Sequence, residues 1–580
     1  MDKLSLFIFI AVAMVVALLS MTVDGKAQGP YRELSSEEKA RVEAVLPESA
    51  PAPVDEPRKL LIYDGNVGYG GHGSIPFANH AFRRMGERTG TFTTVVSRDP
   101  AVFRKESLER FDAVCLNNTV GNLFTDPELR RNLVEFVVGG GGLLGVHGTT
   151  VAFTDFPQGA RETWPEFARM IGARGAAHLA QDERVIIHLD SPDHPLNRPF
   201  GGQAFEHASE FFRVRGPYSR DRLHVLFSID TQRTDLPPRG SHPGVEREDQ
   251  DYALAWTRSY GRGRVVYCTI GHSPQDFMTP RILEFYLHAL QFIMGDLDGT
   301  TTPSNRLTPA VAARESLGWR LALTAQGSEP VSVLEMIDRA HQSGLAHIQP
   351  SSLQQVGGAD SVSFDSRLSD EQIEQIRLAM DDAGVSLPAL KYAEIPNDME
   401  GRRRVFEFCR KLGVQTLIGA ASPESLDDLE QLCDQYDIRL AIMPADSDPS
   451  NEAGHAQRIL EICRGRSARI GAYGDVDRWL RAGLDPVDHL RKLGVRLITL
   501  RLAPMQPSSA RDQDGPQNVN GGDLQVLLLE LHRQGVPPTV LGLADTSGDT
   551  QQTAGIRATI DAIDAIVDRI VRETDANQSR

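Results

Sequence analysis

The chain has 580 residues and a mass of 63.8 kDa, which is too long for one hydrophobic core, so two or more domains are expected. Hydrophobic residues make up 41% and charged residues 24%, a globular balance that excludes a disordered chain, a collagen-like repeat and a disulfide-rich miniprotein. The formal net charge of −17 would repel phosphate backbones, so nucleic acid is not expected as a partner.

The first 28 residues have the organisation of an export signal. A short charged start is followed by an apolar run over 4–21 and then by small and polar residues. We predict that segment 1–28 is a signal peptide and that the protein is periplasmic or extracellular. The apolar run is also long enough to be retained as an anchor, in which case it would be the membrane span. Residues 29–57, rich in Pro, Glu, Ser and Ala, are predicted to be a linker.

Strand and helix signals alternate over residues 58–297. Short apolar runs end in turn residues, and helical stretches such as 127–138 lie between them. The predicted strands are 59–63, 92–96, 112–116, 142–146, 184–188, 224–228 and 264–268. This βαβ pattern predicts an α/β domain with a parallel sheet covered by helices.

The second half of the chain repeats a strand followed by a helix after a predicted linker at 298–315. The strand-like runs are 319–323, 345–349, 387–391, 416–418, 439–443, 469–473, 496–500 and 539–543. Eight such units over 316–573 predict a (β/α)8 TIM barrel, with a doubly wound sheet as the alternative. Residues 574–580 are assigned to a tail.

Three histidines come after predicted strands of the first domain: His72, His147 and His272. Active groups of open α/β sheets gather at the carboxyl ends of strands. We therefore predict that these three imidazoles line one pocket, where they can move protons. Imidazoles are also ligand types suited to zinc or another divalent ion, although no H-x-H or H-E-x-x-H spacing supports a metal. The alternative is that each histidine caps a turn or makes a surface hydrogen bond.

The first domain resembles the trehalose-utilisation (ThuA-like) domain of the class I glutamine-amidotransferase-like superfamily, whose sheet is flavodoxin-like. The resemblance rests on ordered motifs at 72–76, 112–119, 139–147, 193–195, 209–212, 251–256, 261–264 and 271–272. It implies metabolism of trehalose, glucosides or their keto derivatives. It also indicates substrate-binding roles for Ser74, His178, Asp251 and Trp256. The family's Asp–Glu pair keeps one carboxylate here, Glu210, and the resemblance implies that Glu210 joins His72, His147 and His272 in a catalytic pocket that binds a sugar and moves protons at its hydroxyl or carbonyl carbons.

The same motifs depart from the superfamily at the nucleophile. Amidotransferases place a cysteine in a tight turn after a strand, and His147 stands at that position in Gly145-Val146-His147-Gly148-Thr149. An imidazole cannot form the stable thioester, so glutamine hydrolysis is not expected. Tyr63, Trp256 and Phe277 are considered as flat apolar faces for sugar rings, with core packing as the alternative.

The second domain resembles the xylose-isomerase-like superfamily of sugar isomerases and epimerases. The resemblance is clearest at 413–424 and 466–486, and active members bind a divalent metal at the strand ends. Here the expected ligands fall on Ala420, Met443, Arg501 and Gly542, and only Asp475 remains. One carboxylate cannot hold magnesium or manganese, which implies that the barrel has lost metal-dependent isomerase activity.

We expect this vacated site of the barrel to contain a charge pair. Asp475 and Arg501 end neighbouring predicted strands, so the guanidinium is predicted to replace the metal's charge and to pair with the carboxylate. Arg478 or Lys391 is expected nearby. The alternative is that Arg501 points into solvent.

The sequence therefore predicts an exported, carbohydrate-active protein whose first domain carries the chemistry and whose barrel is degenerate. The alternative is a non-catalytic carbohydrate-binding protein or a cell-surface scaffold. The expected partner is a small carbohydrate, and a homo-oligomer is compatible with the sequence.

Overall fold

The computed structural model describes residues 31–578 except 159, 176, 243, 326–330, 359, 445–453, 504–520, 536–538 and 545–550. The predicted signal peptide at 1–28 lies outside the described residues. Within the described part of the chain, no helix is both long and apolar enough to cross a membrane.

The N-terminal domain is built on a nine-stranded sheet of order β2-β1-β3-β4-β11-β10-β9-β6-β7. The strands are β1 Arg58–Tyr63, β2 Phe92–Ser97, β3 Ala113–Asn117, β4 Gly142–Val146, β6 Glu183–Leu189, β7 Phe205–Ser209, β9 His224–Ile229, β10 Ala253–Tyr260 and β11 Gly263–Cys268, with a small separate pair of β5 Arg174–Gly175 and β8 Val214–Arg215. Pairing is parallel from β2 to β11, which confirms the predicted parallel α/β sheet. From β11 to β7 the pairing is antiparallel.

Helices cover both faces of this sheet. They are α1 Ser36–Glu43, α2 Ile75–Thr89, α3 Lys105–Leu108, α4 Pro127–Val138, α5 Pro165–Ile171 and α6 Pro280–Ile293. One core cluster packs α1, α2 and α6 against the sheet, and another packs α4 and α5 against the opposite face. The central strands β3 and β4 are buried on both faces, as expected for parallel strands between helix layers.

The predicted linker at 29–57 differs from the structure over its described part. A capping box at Ser35 and Glu38 starts helix α1, and Leu34, Val42 and Leu46 are buried in the core of the N-terminal domain. Because these side chains leave water only by packing on the domain, residues 31–57 belong to its fold and are not a free tether.

The C-terminal domain contains eight parallel strands in the order β13-β12-β21-β20-β19-β18-β17-β16. They are β12 Trp319–Thr324, β13 His347–Gln349, β16 Ala389–Lys391, β17 Thr416–Gly419, β18 Arg439–Ile442, β19 Ile470–Asp475, β20 Leu497–Leu502 and β21 Thr539–Ala544. Isolated parallel bridges from His347 to Ser386 and from Ser351 to Lys391 bring the two edge strands together. The sheet is therefore a nearly closed barrel, and all eight predicted strands are confirmed.

Helices surround this barrel on the outside. They are α7 Pro309–Ser316, α8 Val333–Gln342, α9 Asp370–Ala383, α10 Met399–Lys411, α11 Leu426–Tyr436, α12 His455–Ile462, α13 Val476–Arg481, α14 Pro486–Leu493, α15 Gly521–Arg533 and α16 Gln551–Gln578, and a hairpin of β14 Gln355–Gly357 and β15 Asp360–Ser363 follows β13. The capping box of Ser369 and Gln372 opens α9. Helix α16 continues through most of the segment assigned to a tail, so that segment extends the last helix.

The two domains share a charged and largely buried interface. Asp381 on α9 contacts three arginines of the N-terminal domain, namely Arg169, Arg222 and Arg258. Arg377, one turn earlier on the same helix, pairs with Glu166. Because these groups are removed from solvent and satisfy one another, the domains form one packed body through α9.

The predicted linker at 298–315 is likewise bound to the N-terminal domain at its start. His194 Nε2 donates to the Thr300 carbonyl oxygen at 3.1 Å, and His224 Nδ1 donates to the Thr302 carbonyl oxygen at 2.8 Å. Nδ1 of His194 accepts a hydrogen bond from the Leu196 backbone N–H, and Nε2 of His224 lies 3.0 Å from the Ser191 hydroxyl oxygen. The imidazole of His194 must therefore be neutral to make both of its hydrogen bonds.

Acid is expected to weaken this attachment. Burial, the neighbouring His224 and the cations of Arg198 and Arg264 lower the pKa of His194 to about 4. The unfolded chain, with a pKa of about 6.5, binds the proton first, so the contribution to stability is complete above pH 6.5 and is lost as the pH falls towards 4. We expect a loss of about 3 kcal/mol across that window.

The measurement is the free energy of unfolding of wild type and His194→Asn between pH 7 and pH 4. Asparagine can still accept the hydrogen bond from Leu196 but does not titrate, so its stability should fall less steeply than that of the wild type. Equal slopes for the two proteins would contradict this role of His194.

Candidate active site

The candidate site lies at the carboxyl edge of the parallel half of the first sheet. His72 follows β1, His147 follows β4 and His272 follows β11, while Glu210 follows the antiparallel strand β7. The ring centroid of His72 is 4.9 Å from that of His147 and 5.3 Å from that of His272, and the last two are 5.3 Å apart. The predicted convergence of these four residues is confirmed as geometry.

The turn that presents His147 is sterically tight. His147 has φ +43, and Tyr267 donates from its hydroxyl to the His147 carbonyl oxygen at 2.7 Å. The Thr149 hydroxyl donates to the Leu116 carbonyl oxygen and fixes the following residues against β3. A side chain at Gly148 would place its Cβ 3.3 Å from His72 Cε1, so glycine allows the two histidines to approach. Strain of this kind is tolerated where the surroundings determine the backbone.

His72 and His272 are tied together through the loops that carry them. The Ser74 hydroxyl donates to the Gly271 carbonyl oxygen at 2.7 Å, and Asn118 Nδ2 donates to the same oxygen at 3.0 Å. Asn118 Oδ1 accepts from the Gly148 N–H at 3.3 Å, so one side chain links all three histidine loops. Asn118 has φ +56, a conformation that asparagine tolerates better than most residues.

Asp276 supports the segment that carries Glu210, through a hydrogen bond from the neighbouring Ser209. Its carboxylate accepts hydrogen bonds from the Ser209 hydroxyl and the Ser273 N–H, each at 2.9 Å, and its other oxygen lies 2.9 Å from His207 Nε2. Asp276 thereby joins the end of β7 to the loop of His272. His207, on β7, belongs to this support.

Burial and neighbouring groups shift the pKa values of three residues of the site. Burial, together with the neighbouring histidines, lowers the pKa of His72 to about 2, and burial is also the main cause of the lowered pKa of His272. Burial alone would raise the pKa of Glu210, but His147, His272 and His178 outweigh it and lower that pKa below its ordinary value. The site therefore places the neutral imidazoles of His72 and His272 beside the ionised carboxylate of Glu210.

Three imidazole nitrogens in this cluster are buried without a hydrogen-bond partner among the described residues: His72 Nδ1, His147 Nε2 and His272 Nδ1. His147 Nδ1 donates to the Thr269 carbonyl oxygen at 2.7 Å, so its Nε2 carries a free lone pair. This is the arrangement of histidine metal ligands, whose second nitrogen is oriented by a carbonyl or carboxylate.

The four residues also meet the distance requirement for a metal site. One donor atom from each of His72, His147, Glu210 and His272 lies within 4.8 Å of every other. Donors on a tetrahedral zinc ion lie about 3.4 Å apart and opposite donors on an octahedral ion about 4.2 Å apart, so small side-chain rotations would close the set. The donor set therefore fits a divalent transition-metal ion.

His178, Tyr69 and Phe212 form the rim of the site. His178 is more than a third exposed, and its Nδ1 lies 3.3 Å from Glu210 Oε2. The Tyr69 ring centroid is 5.0 Å from that of His72, and the Phe212 centroid is 4.9 Å from that of His147. The rim thus offers one imidazole and two aromatic faces, of which only His178 was predicted to bind substrate.

The other predicted substrate-binding residues lie outside the site or behind it. Trp256 is fully buried, donates to the Ile171 carbonyl oxygen and stacks on Tyr267, so its prediction as a sugar-binding residue is wrong. Asp251 instead binds Arg220 and Tyr218. Ser74 is fully buried and acts on backbone, and Tyr63 and Phe277 are core residues as well.

The barrel shows the predicted charge pair. Arg501 Nη1 lies 3.1 Å from Asp475 Oδ2 and 3.4 Å from Asp477 Oδ2, and Arg501 and Asp475 are register partners on adjacent strands. The alternative that Arg501 points into solvent is wrong, because its side chain is 10% exposed. A further cation was expected near this pair. Lys391 lies close enough to Asp475 and Arg501 for their charges to act on its ammonium group, and the charge of Arg478 acts on it as well.

Comparison with known proteins gives one family match. Residues 59–293 match the ThuA family model, described as trehalose utilisation. No protein with a curated description matches the chain.

Three similar solved structures each cover less than half of this chain. An uncharacterised protein from Parabacteroides distasonis has 20% identity and a TM-score of 0.35, covering 42% of this chain and 98% of that one. A putative ThuA-like protein from Bacteroides uniformis has 19% identity and a TM-score of 0.34, covering 42% and 94%. The 3-keto-D-glucoside 4-epimerase from E. coli has 15% identity and a TM-score of 0.30, covering 43% and 98%.

Proposed function

We propose, from the premise that residues 59–293 form a ThuA domain, that this domain is the catalytic half of an exported enzyme acting on a glucoside or its keto derivative. The observation that carries the proposal is the convergence of His72, His147, Glu210 and His272 with three partnerless imidazole nitrogens among them. Buried polar atoms without partners are rare in folded proteins, and their clustering supports a functional site.

We further propose that these four residues hold a divalent transition-metal ion. Bound there, the ion would supply Lewis-acid polarisation of a sugar carbonyl or of a pair of sugar oxygens. A tetrahedral zinc ion bound by all four side chains would have no coordination position left for the sugar. A five- or six-coordinate ion would keep one, so the four ligands favour such an ion.

The chain's own residues would bind and orient the sugar around this centre. Tyr69 and Phe212 present aromatic faces beside the imidazoles, on which a sugar ring can pack. His178 lies at the exposed edge, 3.3 Å from Glu210, where it can accept or deliver a proton at a substrate carbon or hydroxyl. His147 replaces the superfamily's cysteine, so the proposed chemistry does not pass through an acyl-enzyme.

The His147→Ala variant tests whether this centre is catalytic. We expect the wild-type protein to convert a glucoside or keto-glucoside such as trehalose or its 3-keto form, followed by mass spectrometry. Loss of His147 should reduce turnover at least about 100-fold, because the site loses a group that touches the reacting centre. Sugar binding, measured by calorimetry, should persist through the aromatic rim.

His188→Ala is the matched control, because His188 is an exposed histidine on β6. Its turnover should equal that of the wild type. Sugar binding without turnover in the metal-supplemented wild-type protein would instead favour a non-catalytic carbohydrate-binding protein.

The barrel is proposed to lack metal-dependent isomerase activity. The positions that follow β17 and β18, where ligands are expected, hold Ala420 and Met443, and Arg501 occupies the place of another ligand. A guanidinium within hydrogen-bond distance of Asp475 disfavours a second cation at the same carboxylate.

A further inference from the structure

Asn118 follows β3 in a backbone conformation that the turn alone does not explain. It is fully buried and has φ +56, in the left-handed region that non-glycine residues rarely adopt. Asparagine tolerates this region better than most residues, but glycine adopts it without steric cost, so the turn by itself would favour glycine. His147, whose following N–H binds Asn118, is also a non-glycine residue at positive φ. Strained residues of this kind cluster at functional sites, so the reason for Asn118 must lie in its side chain.

The amide of Asn118 binds each of the three loops that carry the site imidazoles. These are the loops that follow β1, β4 and β11, called here the first, second and third histidine loops. Nδ2 donates to the Ser74 hydroxyl of the first loop at 3.4 Å and to the Gly271 carbonyl oxygen of the third at 3.0 Å. Oδ1 accepts from the Gly148 N–H of the second loop at 3.3 Å. The orientation of the amide is fixed by these partners, because a reversed amide would place oxygen against a carbonyl and NH2 against an N–H.

Two of the three pairs of histidine loops are also joined without Asn118. The Ser74 hydroxyl donates to the Gly271 carbonyl oxygen at 2.7 Å, which joins the first loop to the third. His147 Nδ1 donates to the carbonyl oxygen of Thr269, the first residue after β11, at 2.7 Å, which joins the second loop to the start of the third. Asn118 supplies the remaining connection, between the first and second loops. Removing its amide should therefore act mainly on the distance between His72 and His147.

We propose that Asn118 is a positioning residue whose amide sets the spacing of His72 and His147 and thereby the affinity of the four-residue site for a divalent ion. Because Asn118 is fully buried, it acts through the loops and does not touch the sugar. Functional side chains must be held within about 0.5 Å of their productive geometry, and residues behind metal ligands provide that precision. The effect on metal affinity rests on the proposed function, whereas the effect on the imidazole spacing does not.

Crystal structures of the metal-free full chain, wild type and Asn118→Gly, test the spacing. Glycine suits the positive φ, so this variant loses the amide while the turn is kept. We expect the separation of the His72 and His147 rings, 4.9 Å between centroids, to change by more than about 0.5 Å. The separation of 5.3 Å between His72 and His272 should stay, because the Ser74 bond remains. Unchanged positions of all three rings would overturn the proposal.

Titration of the full chain with Co²⁺ tests the consequence for metal binding. Co²⁺ is the probe because its visible absorption spectrum depends on the coordination geometry. We expect Asn118→Gly to bind Co²⁺ at least about 10-fold more weakly than the wild type and to give a different spectrum when loaded. Asn118→Asp keeps the acceptor oxygen but loses both donor contacts, so it should also bind Co²⁺ more weakly.

Asn197→Ala is the matched control for both measurements. Asn197 is likewise fully buried, and its Nδ2 donates to the carbonyl oxygens of Ser191 and Leu226, at 2.7 and 2.8 Å, outside the site. This variant should lose stability but keep the Co²⁺ affinity and spectrum of the wild type. Equal losses of Co²⁺ affinity in Asn197→Ala and Asn118→Gly, or wild-type affinity in Asn118→Gly, would overturn the proposal. A wild type that binds no Co²⁺ would contradict the proposed metal site instead, and the ring positions would still decide the role of Asn118.

Discussion

The Glu210→Gln variant is expected to purify without the divalent ion that the wild-type protein should carry at about one per chain. Glu210 is the anionic member of the donor set, and its carboxylate lies within 3.5 Å of both His147 and His272. An amide keeps the shape of the side chain but removes its charge. Loss of an outer-shell partner already costs about 10–100-fold in metal affinity, so loss of this ligand should cost more.

Metal content by mass spectrometry and thermal unfolding with and without a chelator measure this effect. An ion present at 100 times its dissociation constant stabilises the folded state by about 2.7 kcal/mol, which corresponds to roughly 5–10 °C for a domain of this size. The wild type should lose that stability with chelator, and Glu210→Gln should not respond. Glu206→Gln is the control and should retain the metal, because Glu206 lies on β7, the strand that Glu210 follows, but is exposed and pairs with Arg184. Full metal occupancy in Glu210→Gln would contradict the assignment.

The second large effect is expected at the domain interface. Replacing Asp381 by Asn should lower the free energy of unfolding by about 3–5 kcal/mol, because it leaves buried arginines without their counter-charge. Asp381 is 3% exposed and contacts Arg222 at 3.1 Å and Arg169 at 3.5 Å, in addition to the side chain of Arg258. Arg258 itself is 9% exposed, so water cannot compensate for the loss.

Asp382→Asn provides the matched control for this measurement. Asp382 also pairs with Arg169 and Arg222, but half of its side chain is exposed to solvent. Exposed ion pairs contribute about 0–1 kcal/mol, so its substitution should have a small effect on denaturant unfolding. Asp381→Asn should also separate the unfolding of the two domains into distinct transitions. Equal effects of the two substitutions would contradict a structural role for the buried carboxylate.

The position of the histidines could be predicted because strand ends are visible in a sequence. β1, β4 and β11 lie close together in the sheet, so residues that follow them must lie near one another. Glu210 follows an antiparallel strand from the other half of the sheet, and only the family resemblance indicated it. Its neighbour Phe212 is joined to the site by a hydrogen bond from its N–H to the Thr269 hydroxyl at 3.1 Å.

The supporting residues could not be predicted in the same way. Asn118 binds backbone atoms far away in the sequence, and Asp276 binds the distant side chains of Ser209 and His207. A single polar residue carries no periodic signal that would predict such contacts. The available clue to Asn118 was its place directly after a strand, where asparagine can adopt a positive φ. Trp256 and Asp251 were misassigned because they belong to a family motif that here serves packing and an arginine contact.

The composition of the segment before the first strand led to the wrong prediction of a linker. The Pro, Glu, Ser and Ala content of 29–57 favoured a linker, yet Val42 and Leu46 are spaced four residues apart, as on one helix face, and both are buried. The barrel was predicted more reliably because eight repeated βα units leave few alternatives. The Asp475–Arg501 pair followed from the resemblance, since a missing metal leaves a carboxylate that needs a cation.

Anomalous diffraction from crystals of the full chain, collected above and below the absorption edge of the metal found in the purified protein, would locate the ion. We expect one strong peak bonded to His72, His147, Glu210 and His272, and none at Asp475 in the barrel. A metal-supplemented crystal without a peak among the four side chains, or with an ion in the barrel instead, would contradict this expectation.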